Sequence, residues 1–271
     1  EYSPESIVEM AKEAGINKIA ITDHNSVKGV EPAILKGKEI GVEVIPGIEM
    51  DCHYNGLNLH LLGYYIDYKN HKFEDLEKNI FDQEMSFATT KINKLRAGTD
   101  LNIDENKIFE IANGSIITGE LIAQVLMDDP SNRDNILLKP YFCGGDRSDM
   151  PYVNFYWDYF AQGKMAYVPI EYMTFNEGIE LVKETGGIPI IAHPGNNLKD
   201  DLSMINHLIR EGLEGIEAYS SYHTKEATDY FLTVAKKNGL RITYGSDFHG
   251  EHKPNIRLGE LDYEIDFDEI L

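Results

Sequence analysis

The sequence predicts an α/β barrel of strand–helix units interrupted by a mainly helical insertion. Three observations lead there. Short apolar strands alternate with amphipathic helices near both ends of the chain, as in a parallel sheet. Between residues 71 and 163 that alternation gives way to helical periodicity. Finally, Asp23, His24, Glu49, His193, Asp247 and His249 all fall at or just beyond predicted strand ends, and a barrel gathers such ends at one mouth. An open dinucleotide-binding sheet would instead need a Gly-rich turn after its first strand, and none is present.

The elements follow in order. Ser3 can cap a first helix, Pro4 suits its first turn, and Ile7, Val8, Met10, Ala11 and Ala14 form its stripe, with Gly15 ending it. Lys18 to Thr22 reads as a strand running into Asp23-His24-Asn25. Val30 to Ile40 is a helix closed by Gly41, and Val42 to Ile45 a strand leading through Pro46-Gly47 to Ile48-Glu49. Leu57 to Tyr64 is a further strand with His60 inside it. In the insertion, helical stripes begin at Phe73, Ile103 and Leu121, residues 132 to 151 read as loop, and Phe155 to Phe160 as a packed aromatic segment. The barrel is thus assigned residues 1–70 and 164–271, and the insertion 71–163.

Alternation then resumes. Thr174-Phe175-Asn176-Glu177 has the pattern of a capping box, in which the first and fourth side chains satisfy each other's backbone donors. Strands follow at Ile188 to Ala192, Gly215 to Ala218 and Arg241 to Tyr244, with helices at Leu202 to Arg210 and Thr224 to Asn238. The acidic tail from Gly259, with Leu261, Tyr263, Ile265 and Phe267 alternating, reads as an edge strand.

Composition narrows the function. Of 271 residues, 25 are Lys or Arg and 46 Asp or Glu, a net charge of -21 that opposes binding of long nucleic acid. A small anion remains compatible, because bound metal ions invert the local potential. No apolar run reaches eighteen residues, and no leader pattern opens the chain, so neither a membrane span nor a membrane partner is expected. Cys52 and Cys143 are the only cysteines, which fits a reducing, cytoplasmic setting and excludes a Cys-rich structural zinc site. No obligate protein partner is indicated.

Carboxylates and neutral imidazoles are ligands for borderline first-row metals. His24, Glu49, His60, His193, Asp247 and His249, dispersed over five segments, form the candidate set, with two or three divalent ions (manganese, iron or zinc) as the cofactor. Asp247 and His249, two apart in an extended segment, can face the same way. Glu49 has two oxygens to divide between ions, and Asp247 can hold a terminal position and orient the nucleophile. Such a site can bind phosphoryl oxygens and lower the pKa of a bridging water enough to give hydroxide near neutrality.

The pieces Ile21-Thr22-Asp23-His24, Pro46-Gly47-Ile48-Glu49, His60, Ala192-His193-Pro194 and Gly245-Ser246-Asp247-Phe248-His249-Gly250 resemble, in order, the motifs of the PHP (polymerase and histidinol phosphatase) family. The resemblance implies a distorted seven-stranded (βα) barrel of amidohydrolase-like type with up to three metals. It implies that Glu49 bridges two ions, one also held by Asp247, that His60 and His193 complete the second, and that His24 and His249 serve a third, with Asp23 close behind. The run Gly215 to His223 resembles a segment lining the substrate side, which makes His223 a candidate phosphate contact or general acid; Arg257 is a second candidate phosphate contact.

The sequence departs from the family twice. The family's opening strand, with its His-x-His motif, would lie just before the Ser3 helix and is expected upstream of Glu1. In the insertion, nucleotide-cleaving relatives carry Gly-Arg-x-His-Ile-Ala, whereas this chain has Thr118-Gly119-Glu120-Leu121-Ile122-Ala123, and so lacks the bidentate guanidinium donor. The function expected is metal-dependent hydrolysis of a small phosphomonoester, a nucleoside phosphate or 3′,5′-bisphosphate. Histidinol phosphate hydrolysis, a non-catalytic metal- or ligand-binding role, and a polymerase-associated domain are the alternatives, the last disfavoured by the acidic surface.

Overall fold

A computed structural model describes residues 2–198, 201–260, 265 and 270–271. The elements run α1 (Pro4–Glu13), β1 (Lys18–Ile21), α2 (Val30–Ile40), β2 (Glu43–Tyr54), β3 (Leu57–Tyr64), α3 (His71–Gly98), α4 (Glu105–Ala112), α5 (Gly119–Asp128) and α6 (Pro151–Tyr159). They continue with β4 (Met173–Thr174), α7 (Phe175–Glu184), β5 (Ile188–Ile191), α8 (Pro194–Asn197), α9 (Ile205–Arg210), β6 (Gly215–Ser220), α10 (Lys225–Asn238) and β7 (Arg241–Gly245).

Local chemistry sets the boundaries. Ser3 Oγ accepts the Ser6 N–H at 3.2 Å to start α1, and Gly41, at φ 74°, ends α2 in the left-handed region that glycine enters freely. At α7 the capping box is complete: Thr174 Oγ1 accepts the Glu177 N–H, and Glu177 Oε2 accepts the Thr174 N–H at 2.7 Å.

Two compact units are present. One comprises Glu1–Glu77, Tyr172–Phe248 and Ile256–Leu271; the other comprises Lys78–Glu171 and His249–Asn255. The first is an α/β unit around a curled, mixed, half-barrel sheet of order β1-β2-β3-β5-β6-β7, with β4 added beside β2. Ile45, Leu62, Tyr64, Ile190 and Ala192 form one buried cluster in it, and Val8, Ile21, Ala33 and Val42 another under α1 and α2. The second unit is helical around a core that includes Ile92, Leu95, Ile108, Ile122, Leu126 and Phe155.

The all-parallel sheet expected from the alternation is corrected here. β3 runs antiparallel to both β2 and β5. The cause is the Asn55-Gly56 turn, in which both residues have positive φ (49° and 83°), the geometry of a tight hairpin turn. The predicted break at Pro46-Gly47 is also absent, because β2 is continuous. It pairs in parallel with β1 as far as Ile21↔Pro46 and from Gly47 onward lies antiparallel to β3. A Cβ on Gly47 would sit 2.7 Å from Thr22 Cγ2, so pairing with β3 begins where only glycine fits beside the β1 segment, which still bridges to β2 at His24↔Glu49. The edge strand expected from Gly259 falls mostly outside the described residues; Ile270 forms a parallel bridge with Ile242.

Candidate metal centre

The site lies on the β-sheet unit. Glu49 and Asp51 sit two apart on β2 and therefore share a face, and His60 on β3 is the direct cross-strand partner of Asp51. His24 follows β1 and is held beside β2 by reciprocal backbone bonds, Asn25 N–H to Glu49 O at 2.7 Å and Glu49 N–H to Asp23 O at 3.2 Å. His193 follows β5 with φ 26° and ψ 56°, an uncommon conformation for a residue with a Cβ.

These side chains form two ligand groups that share His60, namely His24–Asp51–His60 and Glu49–His60–His193. His60 Nδ1 is 2.7 Å from Glu49 Oε1 and its Nε2 is 3.1 Å from Asp51 Oδ1. His193 Nε2 is 3.1 Å from Glu49 Oε1, His24 Nδ1 is 3.5 Å from Asp51 Oδ2, and His24 Nε2 is 3.9 Å from Glu49 Oε2. Donor atoms bound tetrahedrally at about 2.1 Å from an ion stand about 3.4 Å apart, so these separations suit direct chelation. The mixed oxygen and nitrogen set suits a divalent first-row metal. A neutral imidazole has one lone pair in its ring plane, so His60 can ligate one ion while its other N–H donates to the carboxylate of the neighbouring group.

The electrostatics match a cation site. Burial opposes charge on His24, Glu49, Asp51 and His60, yet their mutual pairing outweighs it. Although partial burial works against its charged form, the Glu49 and Asp51 carboxylates raise His24 to about 9. His60 is likewise raised well above the ordinary histidine value against its burial, by Asp51 and Glu49. Asp51 and Glu49 are held well below the usual carboxylate range despite burial, with His24 the largest favourable influence on each. The raised values of His24 and His60 favour protons at the positions where a metal would replace them.

Neighbouring side chains aim these groups. Asn25, at φ 52°, grips Asp51 twice: its Nδ2 donates to Asp51 Oδ2 at 2.6 Å and its Oδ1 accepts the Asp51 N–H at 3.0 Å. His193 Nδ1 pairs with Asn197 Oδ1 at 2.7 Å, one turn along α8, leaving Nε2 toward Glu49.

The remaining predicted residues are distributed differently. Among the described residues, neither ligand group takes in Asp23, Asp247 or His249. Burial raises Asp23, whose carboxylate packs over Gly29. Asp247, at φ 54°, accepts the Tyr222 hydroxyl at 2.6 Å, and the Tyr222 ring meets His193 edge-on. His249 begins the short turn Gly250–His252 and falls with the helical unit. His223 is buried with both ring nitrogens engaged: Nδ1–H donates to Ala218 O at 2.8 Å, and Nε2 accepts the Gly195 N–H at 2.9 Å. That geometry leaves it no free nitrogen for a phosphate or a leaving group. Arg257 is exposed and pairs with Glu260 at 3.5 Å.

Two functional candidates escaped the sequence reading. Asp51 was signalled by its alternation with Glu49, which puts both on one strand face. Glu217, buried on β6, lies inside the Gly215–His223 run, where only His223 stood out as a candidate; burial, together with Asp247 and Glu49, pushes it well above the carboxylate range.

In the helical unit, Gly119 opens α5 under Thr118, whose side chain accepts the Leu121 N–H. A Cβ at 119 would lie 2.7 Å from Phe160 Cδ2 and 2.9 Å from Tyr156 Cδ2. The aromatic packing of α6 occupies the space that an arginine stem would need.

Residues 1–111 match the PHP domain model. The chain is 27% identical over 256 residues to a "5'-3' exoribonuclease" of Haemophilus influenzae, covering 91% of this chain and 84% of that protein. It is 24% identical over 250 residues to a "Phosphoribosyl 1,2-cyclic phosphate 1,2-diphosphodiesterase" of Eggerthella lenta, with 91% and 88% covered. It is also 24% identical over 266 residues to a "3',5'-nucleoside bisphosphate phosphatase" of Chromobacterium violaceum, with 96% and 86% covered. Among solved structures, a Bifidobacterium adolescentis chain predicted to be a metal-dependent phosphoesterase superposes with a TM-score of 0.77 at 23% identity, over 96% of this chain and 87% of that one. A Chromobacterium violaceum amidohydrolase solved with sulfate and without metal gives 0.73 at 22% identity, over 91% and 82%.

Proposed function

From the premise that this chain has a PHP-domain, amidohydrolase-like phosphoesterase fold, we propose that it is a metal-dependent hydrolase of a small phosphomonoester, a nucleoside phosphate or 3′,5′-bisphosphate. The observation that carries this reading is the convergence of three imidazoles and two carboxylates within chelating distance on one sheet. Glu49–His60–His193 would hold one divalent ion and His24 with Asp51 a second, drawn from manganese, iron or zinc. Such ions, when bound, supply charge neutralisation for phosphoryl oxygens and acidify a water.

The chain's own groups do the rest. Glu49 offers Oε1 to His60 and His193 and turns Oε2 toward His24, which supports a bridging carboxylate. Asp247, oriented by Tyr222, is the candidate for the terminal carboxylate that steers the nucleophile, and His249 remains the candidate for a third ion. Three similar bacterial proteins are named as 5′-3′ exoribonucleases. The competing reading, stepwise removal of 5′ nucleotides from RNA, uses the same metal chemistry on a longer substrate.

The test is a phosphate-release panel of nucleoside monophosphates, 3′,5′-bisphosphates, histidinol phosphate and 5′-phosphorylated oligoribonucleotides, each with manganese, iron or zinc. Release from the mononucleotides that chelation abolishes and Glu49→Gln removes is the expected result. Activity that survives both treatments sinks the proposal, and activity confined to the oligoribonucleotides favours the nuclease reading.

A further inference from the structure

The turn that carries His193 is held from β6 by side chains that no motif singles out as ligands. The His193 N–H donates to Glu217 Oε1 at 3.2 Å, and two residues later the Gly195 N–H donates to His223 Nε2 at 2.9 Å. Pro194, between them, has no N–H to offer. Both donors of this turn therefore end on side chains from the segment that starts with β6. The His223 acceptor is itself fixed. His223 Nδ1–H donates to Ala218 O at 2.8 Å, which commits the ring to the tautomer whose Nε2 accepts.

The backbone beside both contacts is glycine. A Cβ on Gly195 would lie 2.6 Å from His223 Cδ2, and one on Gly245 would lie 2.4 Å from Glu217 Oε2. Two glycines thus clear the space that the two acceptors occupy. The turn they hold contains a histidine at φ 26°, a conformation that persists only where surrounding contacts impose it. Its ring must point Nε2 at Glu49 Oε1, 3.1 Å away, to close the Glu49–His60–His193 group.

We propose that Glu217 and His223 are positioning residues that lock the His193–Pro194–Gly195 turn and thereby aim His193 into the metal site. The assignment rests on the metal-site reading above. It places His223 behind the ligand, acting through the backbone, rather than at the phosphate.

The full chain, stripped of metal, would be titrated with Co²⁺ against a competing chelator, and the apo-protein melting temperature recorded in parallel. Groups behind a metal ligand typically change affinity by about 10–100-fold. Glu217→Ala and His223→Ala are expected to weaken Co²⁺ binding by at least about tenfold and to alter the Co²⁺ visible spectrum. Glu217→Gln, which keeps an acceptor oxygen of the same shape, should bind within a few-fold of wild type. Folded alanine variants that bind Co²⁺ as wild type does would overturn the proposal.

If either alanine variant fails to fold, the wild-type chain decides. Its His193 and Gly195 amides should exchange slowly with solvent, and long-range nitrogen NMR should find His223 protonated at Nδ1 alone. Rapid exchange of both amides, or a proton on Nε2, overturns the proposal. His193→Ala is the control. Wild type that binds no Co²⁺ overturns the metal reading and this inference with it, whereas wild-type binding with unaltered alanine variants overturns the inference only.

Discussion

Protons and metal ions compete for the same donors here, and the competition sets a pH dependence that can be worked out. In the metal-free chain His24 keeps its proton up to about pH 9, and His60 is raised in the same direction by Asp51 and Glu49. A metal must displace those protons, because only the neutral imidazole has a lone pair to give. Each displaced proton contributes up to about a tenfold gain in affinity per pH unit while the pH stays below that group's value. With His24 alone releasing a proton, apparent affinity rises about 100-fold from pH 6 to pH 8; with His60 as well, the ceiling is about 10,000-fold. Asp51→Asn removes one of the two carboxylates that hold the His24 proton, so it lowers metal affinity and flattens this slope together. Co²⁺ titrations at pH 6, 7 and 8, with calorimetry in buffers of different ionisation heat to count released protons, give both numbers. A wild-type slope near zero, or a slope unchanged in Asp51→Asn, would refute the reasoning.

Three further outcomes are expected. The metal-free chain should lose stability as pH rises from about 6.5 toward 9, because raised histidines stabilise the fold while protonated and stop doing so above their folded values. It should also lose stability in acid, as the depressed Asp51 and Glu49 become protonated; urea melts with and without chelator would reveal both limbs, and added metal should remove the alkaline one. Thr174→Ala removes the hydroxyl half of the α7 capping box, leaving Glu177 to accept the residue-174 N–H, and should cost about 1 kcal/mol in denaturant unfolding, with a negligible change excluding the hydroxyl cap as a contributor. Gly119→Arg should destabilise the helical unit by about 1–3 kcal/mol in denaturant unfolding; a variant as stable as the wild type would show that the aromatic wall yields.

Where the ligand candidates are strand-end residues, the sequence marked them readily. His24, Glu49, His60 and His193 each follow or interrupt a short apolar run, and the structure gathers all four. Helices with strong local signals also kept their predicted bounds. Val30–Ile40 ends at Gly41 as written, and the Thr174–Glu177 box is fully formed. What sequence periodicity could not carry was partner choice. An apolar strand reads the same in either direction, so the antiparallel placement of β3 was invisible apart from the Asn55-Gly56 turn, a signal that went unused. Pro46-Gly47 read as the end of the strand because glycine and proline usually punctuate, yet here they mark the place where β2 takes on β3 as a second neighbour. Asp51 went unseen because a carboxylate on a strand is ordinarily a solvated face, and only the cross-strand register puts it opposite His60. His223 was visible as a histidine near the site, but its two occupied nitrogens come from backbone atoms brought in by the fold.

The hairpin turn between β2 and β3 bears on the order in which the site assembles. Glu49 and His60 are 11 residues apart, whereas Glu49 and His193 are separated by 144. The entropy of closing a chain segment grows with the logarithm of its length, so the longer closure costs about 2 kcal/mol more than the shorter one. Three of the five donors, Glu49, Asp51 and His60, therefore come together through a local event that the Asn55-Gly56 turn initiates. His193 can join only after the chain has returned through β5. The hairpin thus presents Glu49, Asp51 and His60 as a group that could hold an ion before His193, which would complete the set, arrives with β5.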